Sequence, residues 1–339
     1  MRIGLLALLI LAAVTPEGWT HSPSRKAHPF ISRFGFTDAE IASMAAGEVV
    51  TRLLETKQDN DVAIVGVVHV DAPETLLVEP LRELVVFLKD GSLLETGHFS
   101  SPPRVDDLDG LSFDTPDLRK CKPGNCEVQM GAAGMELAKR VDWKSPTAEA
   151  TFVGLLKQSV VDEVVAYQRD GRMPVYVNNA RPESVAEGLH TSLKDSPYLA
   201  LDSPFIEYLV NYPKAALPDT EDVFFWTRQD VKDPVTSVHH LVIHKTLDGD
   251  TADYTIADKH IADSHYFLAS LEVVWLLRDA DAKPGFYAAR LNRSRIDPPR
   301  LLRGLLLGKI KKGMRKAMGQ SLKDVKMRLE AAGPGAFHR

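Results

Sequence analysis

Cysteine is scarce in this chain: two residues in 339 cannot staple a fold of this length, which excludes a disulfide scaffold. Glycine (22) and proline (21) are at ordinary levels, which excludes collagen-like and low-complexity classes. Charge of one sign is lacking as well. With 41 cations against 46 carboxylates, the formal net charge of -5 offers no bulk attraction to a polyanion, so nucleic acid is not an expected partner. After the N-terminal segment, no stretch approaches the roughly 18 uncharged apolar residues of a membrane helix, so the body is expected to be soluble. His-Glu-x-x-His, Gly-x-Ser-x-Gly, the phosphate loop and the dinucleotide glycine pattern are all absent, and neither metal nor cofactor is expected.

What is present is enough apolar material for a substantial core. At 44% hydrophobic residues, a chain of this size buries roughly three quarters of its extended surface, as one large domain or two modest ones. Residues 1–14, MRIGLLALLILAAV, place Arg2 ahead of a short apolar run of signal-peptide length, so residues 1–20 are expected to be an export signal. The alternative is a buried N-terminal helix. Periplasmic or secreted localisation follows from the first reading.

The other end is polar in a different way. Residues 301–330 carry nine cations against Asp324 and Glu330, a net of +7 that leaves -12 for the remainder. Leu307, Ile310, Met314, Met318, Leu322, Val325 and Leu329 recur at intervals of three and four, which predicts one long helix with an apolar face. That face packs on a sheet, with the basic back in solvent. A sharper expectation is that Leu302 and Leu306, beside Lys309, Lys311 and Lys312, touch a membrane or partner.

Between the ends, Thr37 and Glu40 form a candidate capping box, with Phe36 and Ile41 as a staple, for a helix over 38–56. Residues 62–70, VAIVGVVHV, read as a buried strand leading through Asp71-Ala72-Pro73-Glu74 into a helix near 74–88, and Leu93–Phe99 as a second strand. Helices are expected over 132–142, 146–169 (stopped by Gly171), from Pro182 to about 193, and from Ser203 to Val210. From about 221 to 295 the rhythm becomes that of an antiparallel sheet, with strands at 223–227, 237–245, 252–258 and 285–292. The piece 261–277 fits either period, strand or helix. Cys121 and Cys126 flank a Pro-Gly-Asn turn, so they are expected either to pair as a disulfide or to remain two unbridged thiols.

This order of strand, helix, curved sheet and long terminal helix resembles the START-like or helix-grip superfamily, which includes polyketide cyclase-like and coenzyme Q-binding-like proteins. HVDAPETLL matches the family's first strand-to-helix turn, and the resemblance covers 62–88 and 221–330, roughly half of the chain. It implies an α+β fold, a curved antiparallel sheet packed against a long C-terminal helix, with additional helices in the middle of the chain. The domain spans 30–330, with a helical insertion at about 130–210 and a flexible tail at 331–339. It further implies an apolar cavity between sheet and terminal helix for a hydrophobic small molecule or lipid.

Within that frame, Tyr254, Tyr266, Trp275 and Tyr287 are candidate lining residues, and His265 and Arg293 candidate polar determinants. The run from Asn292 to Asp297 reads either as an inter-element salt bridge or as a head-group contact. His240, Asp263 and His265 are weak acid-base candidates for an enzyme, since imidazole and carboxylate crowd this region without a recognised spacing. A third reading is an envelope structural or interaction module.

Overall fold

The computed structural model describes residues 27–82, 92–113, 129, 132–178, 181–199, 203–230, 234–248, 251–278, 285–296 and 303–332. The N-terminal half runs α1 (Ala27–Ser32), α2 (Asp38–Ala45), β1 (Val50–Leu53), β2 (Asp61–Val70), α3 (Thr75–Arg82) and β3 (Leu93–His98). The helical middle follows as α4 (Ala132–Arg140), α5 (Ala148–Asp170), β4 (Val175–Asn178), β5 (Arg181–Ser184), α6 (Val185–Lys194) and α7 (Ser203–Asn211). The chain closes with β6 (Thr220–Asp230), β7 (Pro234–Asp248), β8 (Thr251–Asp263), β9 (Phe267–Leu277), β10 (Phe286–Ile296) and α8 (Arg303–Ala332).

Eight strands form one antiparallel sheet in the order β1-β2-β10-β9-β8-β7-β6-β3, with β4 and β5 as a separate ribbon. The protein is thus α+β, its curved sheet packed against a long C-terminal helix, with further helices in mid-chain. Both faces of the sheet are covered. On one, Leu307, Met318, Leu322, Val325 and Leu329 of α8 meet Val62, Ile64, Ile256, Val274 and Ala288. The 3.6-residue period of the helix therefore meets the 2-residue period of the strands, and each fully buried side chain of this kind contributes about 1.5–3 kcal/mol. Gly66 lets them approach: a Cβ there would lie 2.6 Å from Leu322 Cδ1.

On the opposite face, Phe30, Met44, Tyr167, Leu189 and Phe205 from α1, α2, α5, α6 and α7, with Phe34 of the turn after α1, pack on Val65, Val67, Val242, Val273 and Trp275. Burial on both faces explains why 261–277 defied assignment from its period. It is the end of β8, a reversal at Tyr266 (φ 62°) and β9, which is mostly apolar and buried on both sides, with Ser270 and Glu272 as polar exceptions.

Several boundaries differ from the sequence expectation. The capping box forms, Thr37 N–H donating to Glu40 Oε2 at 2.8 Å and Glu40 N–H to Thr37 Oγ1 at 3.3 Å. The helix it starts nevertheless ends at Ala45, because Gly47 (φ 93°) reverses the chain and residues 50–53 pair with β2 instead. The helix expected from Pro182 starts at Val185 under a Ser184 cap, while Pro182 lies in β5 opposite Val177. Gly171 does stop α5, in a left-handed conformation (φ 77°).

The disulfide expected between Cys121 and Cys126 is corrected: no disulfide bond is present. Both cysteines lie outside the described residues, as do the expected signal segment 1–20, Leu302, and 333–339 of the expected tail. Ala331 and Ala332 belong to α8. No described helix is long and apolar enough to cross a membrane.

Candidate functional site

Strand alternation aims one set of polar residues at α8. His239 on β7, Asp258 and His260 on β8, Glu272 on β9, and Arg290 and Asn292 on β10 occupy positions that on neighbouring turns of the pleat hold Leu241, Ile256 and Val274. With Phe225, Phe267, Met314 and Met318 they line a cleft of about 260 Å³ between sheet and terminal helix. Its walls are apolar and its polar groups converge on the β7–β10 surface.

These polar groups are bonded to one another. His239 Nδ1 lies 2.9 and 3.1 Å from the two Asp258 oxygens, and its Nε2 is 2.9 Å from Thr227 Oγ1. The pairing makes Nδ1–H the donor to Asp258, with Nε2 accepting from Thr227. Phe225 stacks flat on the His239 ring at 4.3 Å, and the His260 ring meets it edge-on at 4.4 Å. His260 Nδ1 donates to Asp263 Oδ1 at 2.9 Å, and the same oxygen accepts from Ser237 Oγ at 2.5 Å. Arg290 donates to Glu272 at 2.7 Å and, through its other amino group, to Ser321 of α8 at 2.8 Å, which ties the helix to the floor of the cleft.

The electrostatics follow from these partners. Burial works against a charge on His260, but the carboxylates of Asp263, Asp258 and Glu272 outweigh it and push its pKa up to about 9. The ring is therefore a cation at neutral pH. Burial likewise works against the Asp258 carboxylate, yet His239, His260 and Arg290 hold its pKa below the usual value. Asp258, Asp263 and Glu272 thus stand against His260 and Arg290, leaving no surplus of positive charge.

His239, Asp258 and His260 each present a ligand atom within 4.8 Å of the others, a metal-compatible spacing. A divalent ion would have to displace the Asp258 and Thr227 bonds of His239 and the bound proton of His260. The cluster is accordingly read as a charge-paired wall of the cleft.

The residues singled out from sequence are dispersed. His240 and Asp263 lie on different networks: His240 faces away from α8, where its Nε2–H donates to Asp222 at 2.7 Å and its Nδ1 accepts from Tyr167 at 2.9 Å, while Asp263 backs His260. His265 and Tyr266 form the β8–β9 reversal, with His265 Nδ1 2.8 Å from Ser264 Oγ. Trp275 and Tyr287 face the helical layer, against Phe30 and Phe34 in one case and His28 and His69 in the other. Tyr254 is buried on the α8 face without lining the cleft. Arg293 makes a buried ion pair with Asp61 at 3.2 Å, the salt-bridge alternative for its segment.

Of the α8 residues, Leu306 is half-buried, Lys309 and Lys312 are exposed, and Lys311 is half-buried. Sequence reading missed His239, Glu272 and Arg290. The available signal was a charged or imidazole residue standing in an inward register of an otherwise apolar strand, as in Leu271-Glu272-Val273. Comparison with known proteins supplies no name for this arrangement: no family model matches the chain, and no curated protein matches it.

Proposed function

We propose that the protein binds a small amphiphilic molecule in the cleft between the sheet and α8. One observation carries this reading: a cleft with apolar walls in which His239, Asp258, His260, Glu272 and Arg290 converge at one surface. Its volume of about 260 Å³ is just below the roughly 300–1,000 Å³ usual for small-molecule sites, which favours a short, single-chain ligand over a two-chain lipid. Three carboxylates against two cations favour a neutral or cationic polar end. Met314 and Met318 on α8 give the apolar wall an adaptable surface. The sheet-and-helix arrangement is of the helix-grip kind, which supports the cavity reading by analogy of form.

The test is displacement of Nile red by decanol, decylamine and decanoate, together with mass spectrometry of the gently purified protein. Decanol and decylamine are expected to compete better than decanoate. Equal competition by all three, unchanged in a folded Met318→Trp variant, would overturn the reading.

The His239–Asp258 pair beside a protonated His260 supports a second reading, an acid-base enzyme acting on the same ligand. Recovery of the ligand chemically unchanged after prolonged incubation with the protein counts against it. Export through residues 1–20 and membrane contact through the basic back of α8 belong to the same proposal. Cell fractionation with N-terminal sequencing tests the first. Liposome flotation tests the second: a Lys309/Lys311/Lys312→Glu variant should float less with anionic vesicles, and equal flotation would reject electrostatic docking.

A further inference from the structure

The opposite face of the sheet holds a second set of buried polar groups, independent of the α8 cleft. Lys259 on β8 is paired in register with His240 on β7, and both point toward α5 and α7. Lys259 is 2% exposed. Its Nζ donates to the Leu209 carbonyl at 2.7 Å and lies 4.8 Å from the centre of the Tyr167 ring and 5.9 Å from that of Tyr212. The carboxylate that would neutralise it, Asp222, is engaged elsewhere, by His240 Nε2 at 2.7 Å and Tyr208 Oη at 2.6 Å. Among the described residues, no ion pair is formed by Lys259.

This amine is not sealed in packed core. It lines a cavity of about 470 Å³ whose walls include Met173, Leu189, Leu209 and Tyr212, and whose outer rim carries Glu187 and His190. Those two rim residues are exposed, as is Val210, which also lines the cavity, so the space reaches solvent between α6 and α7. A purely structural lysine that caps the last turn of α7 has no need of such an approach.

We propose that Lys259 is a carbonyl-capturing lysine, and that this cavity admits a hydrophobic aldehyde or ketone with which its amine condenses. The nitrogen lone pair forms the C–N bond to the carbonyl carbon, the two hydrogens on nitrogen leave with the carbonyl oxygen as water, and a C=N bond results. Burial, opposed only in part by the charge of Asp222, brings the amine down to about 7, so a large fraction is unprotonated and nucleophilic at neutral pH. The stacked Tyr167 and Tyr212 rings, 5.2 Å apart, offer an apolar surface beside the new bond.

The test is reductive trapping of the full chain with cinnamaldehyde and borohydride at pH 7, followed by peptide mapping. Lys259 is expected to be modified about tenfold or more above exposed lysines such as Lys144 and Lys323. A Val210→Trp variant, which fills the cavity from its rim without touching the amine, should lose that excess. Labelling of Lys259 at or below the surface level in the folded wild type overturns the proposal, as does full labelling in the folded Val210→Trp variant. Neither result bears on the α8 cleft, which Nile red reads separately.

Discussion

His239 and His240 are consecutive in sequence and belong to opposite halves of the molecule. His239 shares its Nδ1 with Asp258 in the cleft beneath α8, while His240 donates from Nε2 to Asp222 beneath the helical layer. Strand β7 alternates its side chains between two covered faces, so one peptide step separates two polar networks. The same alternation on β8 sends His260 to one network and Lys259 to the other.

His260 has a folded pKa raised from 6.5 to about 9 by its carboxylate neighbours against the effect of burial. The folded state therefore holds this proton more tightly than the unfolded chain. The stability it adds is complete below about 6.5 and fades as pH rises through about 9. Urea midpoints of the wild type and His260→Gln should differ by on the order of 1–3 kcal/mol at pH 6. The gap should narrow steadily by pH 10; a gap constant over that range would mean the ring is neutral when folded.

His240 shows the opposite sign. Burial pushes its pKa down to about 4, against the raising effect of Asp222. The unfolded chain binds this proton more readily, so the associated stability is present above about 6.5 and is lost as pH falls toward 4. In proton NMR the His240 ring signal should keep its neutral position down to pH 5, while the His260 signal keeps its protonated position up to pH 8.

At Gly66, β2 and α8 approach closely. Gly66→Val places an atom 2.6 Å from where Leu322 Cδ1 lies and 3.1 Å from Met318, so these side chains or the helix that carries them must shift. We expect a loss of about 1–3 kcal/mol, with faster tryptic cleavage at Lys323 and Lys326. Unchanged cleavage with unchanged stability would show that the side chains of α8 absorb the strain.

Asp61 is fully buried and accepts from both Arg293, at 3.2 Å, and Arg295, at 3.0 Å. Asp61→Ala strands a guanidinium that is 2% exposed, so we expect a loss of about 3–5 kcal/mol. Arg293→Met should cost less when made in the Asp61→Ala background than alone. A strictly additive thermal-denaturation cycle would show the two groups to be uncoupled.

Much of the scaffold is legible in the chain because its causes are local. The apolar stripe from Leu307 to Leu329 specifies a helix with one buried face, and all seven of its members are at least half-buried against the sheet. Thr37 with Glu40, and Gly171, mark helix ends by chemistry that acts within a single turn. Val50–Leu53 shows where this fails. Its strand state comes from Val67 to Ile64, which it meets only through pairing with β2, so a local pattern extends the helix over it.

The candidate site was the less legible part. Aromatic residues of the β8–β10 region are the natural cavity candidates in a linear reading, yet Trp275 and Tyr287 serve the helical face and Arg293 neutralises Asp61. Parity along each strand decides this, and parity acquires meaning only once both faces are known to be covered.

The sequence by itself determined the class of fold, the long basic terminal helix and the run of antiparallel strands, because periodicity, capping and turn chemistry are properties of neighbouring residues. Only the tertiary structure decided which histidine shares a site with which carboxylate. His239, Asp258, His260, Glu272 and Arg290 come from four strands and meet because hydrogen-bonded register and pleat bring them onto one face. Register is a relation between distant segments, and so are the proton affinities of His240, Lys259 and His260, which depend on burial and charges that no single stretch of the chain contains.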